Sequence, residues 1–157
     1  MEQIDKKKLV TTARQQLENG FVQEALRIYQ DILAIDPEYP QALHDLGMIQ
    51  FDAGNISEAI LLLKKTTQHD VKRPDFHNNL GTVLKASGDL AAAEKAFRKA
   101  LTLDRNLVPA LVNIGSLLIE RGRIPAALKA LKRAIELAPE NSTALSGYAE
   151  ANKAKIL

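Results

Sequence analysis

Residues 74–107 read PDFHNNLGTVLKASGDLAAAEKAFRKALTLDRNL, a stretch of 34 residues. Two amphipathic patterns lie within it, divided by Ser87-Gly88-Asp89. His77, Leu80, Gly81 and Leu84 recur at intervals of three and four, one face of a helix; Ala93, Ala96, Phe97, Ala100 and Leu101 do the same in the second half. Gly88 stands where a left-handed residue would end the first helix and reverse the chain. The stretch is therefore a helical hairpin, too small to bury its own apolar faces, and it needs copies of itself to stack on.

The copies are present at the same period. Leu80-Gly81 has counterparts at Leu46-Gly47 and Ile114-Gly115, and Gly88 has counterparts at Gly20, Gly54 and Gly122. Of the chain's 8 glycines only Gly147 falls outside these two columns. A third column holds Ala25, Ala59, Ala93 and Ala127, and a fourth Tyr29, Leu63, Phe97 and Leu131. The repeats run 6–39, 40–73, 74–107 and 108–141, followed by a half-repeat over 142–157.

This arrangement resembles the tetratricopeptide repeat family, whose 34-residue helix–turn–helix motif has small and large residues in these places. The chain departs from that motif at its fourth position, where Leu9, Leu43, His77 and Leu111 stand instead of tryptophan. It also departs at Val71 and Arg105, which replace the helix-ending proline kept at Pro37 and Pro139. The resemblance implies an all-α, right-handed α-solenoid of four stacked hairpins and a C-terminal capping helix, forming one domain over 1–157. Within it the small column at Ala13, Gly47, Gly81 and Gly115 is expected to face the alanine column at a close helix crossing. The large column is expected to fill the space between neighbouring hairpins.

Composition agrees with a globular repeat protein: 46% hydrophobic and 25% charged residues are ordinary values. The absence of cysteine removes disulfides, thiol nucleophiles and cysteine metal sites, and is compatible with a reducing compartment. Met1 to Leu9 is charged and has no apolar signal core, and no apolar run reaches the ~18 residues of a membrane span. The expected location is cytoplasmic, without membrane insertion. Residues 1–5 are expected to fray, and the apolar Ile156-Leu157 points to a natural chain that continues.

Net charge is +2 and uneven, with 9 basic against 11 acidic residues over 1–73 and 12 against 8 over 74–157. Lys95, Arg98, Lys99, Lys129, Lys132 and Arg133 fall on the outer faces of the second helices. No aromatic platform or glycine loop accompanies them, so they read as a solvated face and not as a nucleic-acid site. His44, His69 and His77 are not spaced as a metal pair; they are expected to be exposed on an inner surface, half-buried and in the core, respectively. Carboxylates are scattered singly and no phosphate loop occurs, so no cofactor and no enzymatic role is expected.

One departure lies at the end of repeat two. Thr66, Thr67 and His69 place polar groups in columns that are aliphatic elsewhere, so the seam between repeats two and three is expected to be the least stable. The second helix of that repeat is expected to start near Ser57-Glu58. In the closing half-repeat, Leu145, Tyr148 and Ala149 are expected to cover the last hairpin.

By the family resemblance, the first helices of successive repeats line a concave groove for an extended peptide or partner helix, through positions 2, 5, 6, 9, 12 and 13. These hold Lys7, Val10, Thr11, Arg14, Leu17 and Glu18 in repeat one, and Gln41, His44, Asp45, Met48, Phe51 and Asp52 in repeat two. Repeat three supplies Asp75, Asn78, Asn79, Thr82, Lys85 and Ala86, and repeat four Pro109, Val112, Asn113, Ser116, Ile119 and Glu120. The family variant that clamps a C-terminal carboxylate needs lysine, asparagine and arginine where this chain has Val10, Arg14, Asp45, Asp75 and Asn79, so chaperone-tail binding is not expected. Asn79 and Asn113, one period apart, resemble the asparagine ladder of O-linked N-acetylglucosamine transferases. They are expected either to hydrogen-bond a bound backbone or to brace neighbouring helices. The favoured function is a protein-interaction scaffold. The alternatives are a recruitment module preceding a glycosyltransferase or sulfotransferase domain, and a weak homo-oligomer built through uncovered repeat ends.

Overall fold

The structure is a computed structural model that describes residues 5–156. Residues 1–4 of the segment expected to fray, and Leu157 of the capping half-repeat, lie outside it. The described residues form nine α-helices and no strand: α1 (Lys6–Glu18), α2 (Val22–Ile35), α3 (Pro40–Asp52), α4 (Ile56–His69), α5 (Pro74–Ala86), α6 (Leu90–Leu103), α7 (Val108–Glu120), α8 (Ile124–Leu137) and α9 (Ser142–Ile156). First helices begin at 6, 40, 74, 108 and 142, and second helices at 22, 56, 90 and 124, so the 34-residue period survives in the backbone. Gly20, Gly54, Gly88 and Gly122 have φ of 83°, 83°, 87° and 69°, the left-handed turn expected of that column.

Local punctuation differs from the expectation in two places. Asp5 is not frayed: its carboxylate accepts the Lys8 amide at 3.1 Å and caps α1. Helix α4 starts at Ile56, ahead of Ser57-Glu58, and Asn55 precedes it without a side-chain cap. Helices α4 and α6 stop at His69 and Leu103 without a following proline.

The chain divides into two compact units, Met1–Val71 and Lys72–Leu157. In unit 1, α1 to α4 enclose a core that includes Val10, Ala13, Ala25, Tyr29, Ile32 and Ala42. Thr66 at the end of α4 is fully buried, yet its hydroxyl donates to the Leu62 carbonyl at 3.0 Å. Thr67 is half-buried and donates to the Lys64 carbonyl at 3.0 Å. His69 is exposed rather than half-buried, with Nδ1 3.5 Å from Glu38 Oε2. Each polar group at this helix end therefore has a partner within unit 1.

Unit 2 contains α5 to α9. Its hairpins show how closely the large column approaches the glycines. A Cβ on Gly81 would lie 2.6 Å from the Phe97 ring, and one on Gly115 2.6 Å from Leu131 Cγ. In unit 1 a Cβ on Gly47 would meet Leu63 Cγ at 3.1 Å. The atoms nearest each glycine of this column therefore come from the large column of its own hairpin. The large side chain occupies the volume that the glycine leaves open, and all four members of that column are buried.

The capping helix also turns differently. Ala144 and Ala151 are fully buried, whereas Leu145 is 45% exposed and Ala149 is exposed. Ala149 is one period after Gly115, on the face that would meet a second helix of its own repeat. Among the described residues α9 has no such partner, so it docks through its other face, Ala144, Gly147 and Ala151.

Candidate functional site

In each unit the inner face is built from first helices, and the two faces solve the problem of polar residues differently. In unit 1, Asp45 on α3 is 9% exposed. Arg14 on α1 reaches it with two parallel bonds, Nε to Oδ2 at 2.6 Å and Nη2 to Oδ1 at 3.0 Å. The Tyr29 hydroxyl on α2 donates to Oδ2 at 2.9 Å, and His44 Nδ1 lies 2.8 Å from Oδ1. One carboxylate thus ties three helices together.

Burial alone would raise the pKa of Asp45, but hydrogen bonds from His44 and Arg14, and their charges, outweigh it and hold the carboxyl below its ordinary value. An ionised carboxylate only accepts, so the His44 nitrogen facing it carries the proton. Burial, followed by the Asp45 charge, pushes the Tyr29 hydroxyl up, and the Asp45 bond raises Arg14. His44 is consequently not exposed as expected: its side chain is 12% accessible. Met48 and Phe51, one and two turns further along α3, are half-buried. The one signal of this cluster in the sequence is that Tyr29 alone brings a hydroxyl to a column of Leu63, Phe97 and Leu131. A hydroxyl buried there needs an acceptor.

In unit 2 the inner face is neutral at its centre. Asn113 Nδ2 on α7 donates to Asn78 Oδ1 at 3.0 Å and to Thr82 Oγ1 at 3.3 Å, both on α5. Asn78 Nδ2 donates to Asn79 Oδ1 at 3.3 Å, and Thr82 Oγ1 to the Asn78 carbonyl at 3.2 Å. The expected pair, Asn79 and Asn113, is thus joined through a third amide: Asn78 is buried and relays between them. Asn113 braces α5 against α7 with its amine, while no donor among the described residues reaches its Oδ1. Asn79, Thr82 and Asn113 remain partly accessible.

Further along the same face Lys85 Nζ donates to Ser116 Oγ at 2.9 Å and meets Glu120 Oε1 at 2.6 Å. Val112 is buried and Ile119 half-buried, forming an apolar step beside the amides. Between α7 and α9 this step opens into a cavity of about 240 Å³, whose lining includes Val112, Ser116, Ile119, Leu131, Gly147 and Glu150.

A second polar knot lies away from this face. Glu94 on α6 is 8% exposed and accepts Arg98 Nη2 at 2.7 Å, Arg123 Nη1 at 2.7 Å, and a bond from Arg121. The Arg98 bond, then the charges around it, hold its pKa below the ordinary carboxylate value. Nothing in the sequence reading singled out Glu94, because Arg121 and Arg123 come from the next hairpin's turn. Lys95, Lys99, Lys129 and Lys132 are exposed, as a solvated face requires. Among the described residues no group of three His, Asp or Glu side chains could hold a metal ion, and no helix is long and apolar enough to cross a membrane.

Two tetratricopeptide repeat models match the chain, one over residues 16–80 and one over 76–140. No curated protein sequence matches it. Solved structures share the fold closely. Two structures of the MamA protein align at TM-scores of 0.84 and 0.83, with 24% and 25% identity. The first covers 97% of this chain and 83% of that one, the second 92% and 85%. YrrB, described as a tetratricopeptide repeat protein with an unusual peptide-binding site, aligns at 0.79 with 21% identity, covering 94% of this chain and 76% of YrrB. The first such domain of Spaghetti, bound to an HSP90 peptide, aligns at 0.74 with 24% identity, covering 78% and 97%. The all-α helices, the two family models and these neighbours agree on an all-α solenoid of such repeats, and the chain belongs to the tetratricopeptide repeat family.

Proposed function

We propose that this chain is a protein-interaction scaffold whose unit 2 holds an extended protein segment along the inner face of α5, α7 and α9. The observation that carries this reading is the amide strip Asn79–Asn78–Asn113 with Thr82. It is ordered by its own hydrogen bonds and partly accessible, and it has an unused acceptor at Asn113 Oδ1. An acceptor fixed in place at little further entropic cost suits a peptide N–H whatever side chain follows it. Val112 and Ile119 beside the strip supply apolar contact. Fold neighbours lend support, since Spaghetti's domain and YrrB are described with a bound peptide and a peptide-binding site.

In unit 1 the corresponding charged positions are engaged with one another: Arg14 and Asp45 neutralise each other, and His44 leans on the same carboxylate. Arg14, engaged by both Asp45 oxygens, does not offer the unpaired cation that the carboxylate-clamping variant of the family needs. A free C-terminal carboxylate is therefore the wrong ligand, and an internal segment is the right one.

The test uses peptides selected on the wild-type chain from a phage library of random linear peptides. Asn79→Ala should weaken binding about two- to twelvefold, the worth of ~0.5–1.5 kcal/mol for one hydrogen bond, and lower the melting temperature modestly, because the buried Asn78 amine loses its acceptor. Asn113→Ala should lower both, because its amine also braces α5 to α7. Unchanged affinity in Asn79→Ala, or peptide-induced amide shifts that avoid α5 and α7, would refute the site.

A further inference from the structure

Gly147 is the one glycine that neither the turns nor the hairpin crossings require, and the structure shows what it does. It occupies the sixth position of the half-repeat, the column of Asp45, Asn79 and Asn113. Thr11 also belongs to this column, so Gly147 stands where a fifth polar side chain would be, with Leu131 behind it. A Cβ at Gly147 would lie 3.4 Å from the Leu131 methyls, an ordinary contact, so packing does not demand a glycine here. Gly147 lines the cavity between α7 and α9.

The lining of this cavity is two-sided. Val112, Ile119 and Leu131 are apolar, whereas Ser116, Glu120 and Glu150 are polar. Glu120 is already paired with Lys85 at 2.6 Å. Glu150 is exposed and makes no ion pair among the described residues, so one negative charge on the lining is left uncompensated. At about 240 Å³ the space is below the ~300–1,000 Å³ of small-molecule sites and suits a single long side chain. An apolar wall leading to an unpaired carboxylate matches a side chain with an aliphatic stem and a cationic head. Lysine and arginine bury their stems in this way while the head stays in water.

We infer that this cavity is a specificity pocket of the inner face and takes a lysine or arginine side chain of the bound segment, its stem on Val112, Ile119 and Leu131 and its cation against Glu150. The inference rests on the binding role proposed above and adds the class of residue that is selected.

Panning a phage library of random linear peptides on the full chain tests both, with the outcomes kept separate. The expected consensus holds Lys or Arg at one fixed position, and a synthetic consensus peptide shifts the amides of Ser116 and Gly147. Replacing that basic residue by norleucine should weaken binding up to about fivefold, the range of a partly exposed ion pair. Glu150→Gln should produce the same loss for the basic peptide and none for the norleucine peptide. Gly147→Asn, which restores the polar column and fills the space, should remove the preference while leaving the fold intact by circular dichroism. A norleucine peptide that binds as tightly as its lysine parent, or a consensus without a fixed basic residue, overturns the pocket; the groove reading then stands if those peptides still shift Asn79 and Thr82. Failure to enrich any peptide overturns both.

Discussion

Unit 1 and unit 2 are built on the same 34-residue frame, but they are vulnerable in different places. Unit 1 turns on a buried charge: Asp45 is the meeting point of Arg14, Tyr29 and His44 from three helices. Its hairpin crossing is comparatively loose, with 3.1 Å between a Cβ at Gly47 and Leu63. Unit 2 reverses the emphasis. Its crossings leave no room, at 2.6 Å for both Gly81 and Gly115, while its buried carboxylate, Glu94, sits among arginines whose side chains are 38–53% accessible. Water can take over those guanidiniums if Glu94 is removed. It cannot reach the Tyr29 hydroxyl, which is fully buried. Conserving a repeat's geometry thus does not conserve where its stability resides.

The largest effect should come from Asp45→Ala. Removing one partner of a buried charge network costs ~3–5 kcal/mol, and the half-exposed Arg14 places this case near the lower end, about 3 kcal/mol by chemical denaturation. A loss below about 1 kcal/mol would show that unit 1 does not depend on the charge. Gly81→Ala should follow at ~1–3 kcal/mol, because the Phe97 ring must move in a close-packed core. The same change at Gly47 should be near neutral, since Leu63 can yield a few tenths of an ångström and alanine favours the helix. Equal losses at the two glycines would erase the contrast in packing.

Glu94→Gln should cost about 1 kcal/mol, less than Asp45→Ala, because it weakens bonds to cations that remain hydrated. Acid sharpens the same comparison. Both carboxyls have lowered pKa values, so their contribution is complete above the ordinary values of 3.8 and 4.5 and is lost as pH falls below them. A denaturation series should be flat in these two contributions at neutral pH and decline below about pH 4, with Asp45→Asn and Glu94→Gln each flattening the decline. The smallest effect is a gain: Gly147→Ala, whose Cβ meets Leu131 at an ordinary 3.4 Å, should stabilise by up to ~1 kcal/mol.

Period, hairpins, turn glycines and helix boundaries were legible from residue order alone, because a helix is a local object. Its apolar spacing, its breaker glycines and its length all lie within a few residues of one another, and a column repeated every 34 residues averages out local noise. Even so, the close approach of the large column to the glycines was not legible, since periodicity says which residues share a face but not which atoms meet across it. Leu145 and Ala149 were placed inward for the same reason: their column is buried only where a second helix follows to cover it.

What only the tertiary structure decided are the polar pairings. Arg14 with Asp45, Asn113 with Asn78, Lys85 with Glu120 and Glu94 with Arg121 and Arg123 each join residues about one repeat apart on different helices. Sequence placed these residues on faces, but a hydrogen bond is made or lost within a few tenths of an ångström, and that distance depends on how far one helix is shifted along its neighbour. Asn113, expected either to meet a bound backbone or to brace neighbouring helices, braces them because Asn78 lies opposite it. Gly147, which serves neither a turn nor a hairpin crossing, lines a cavity together with Leu131.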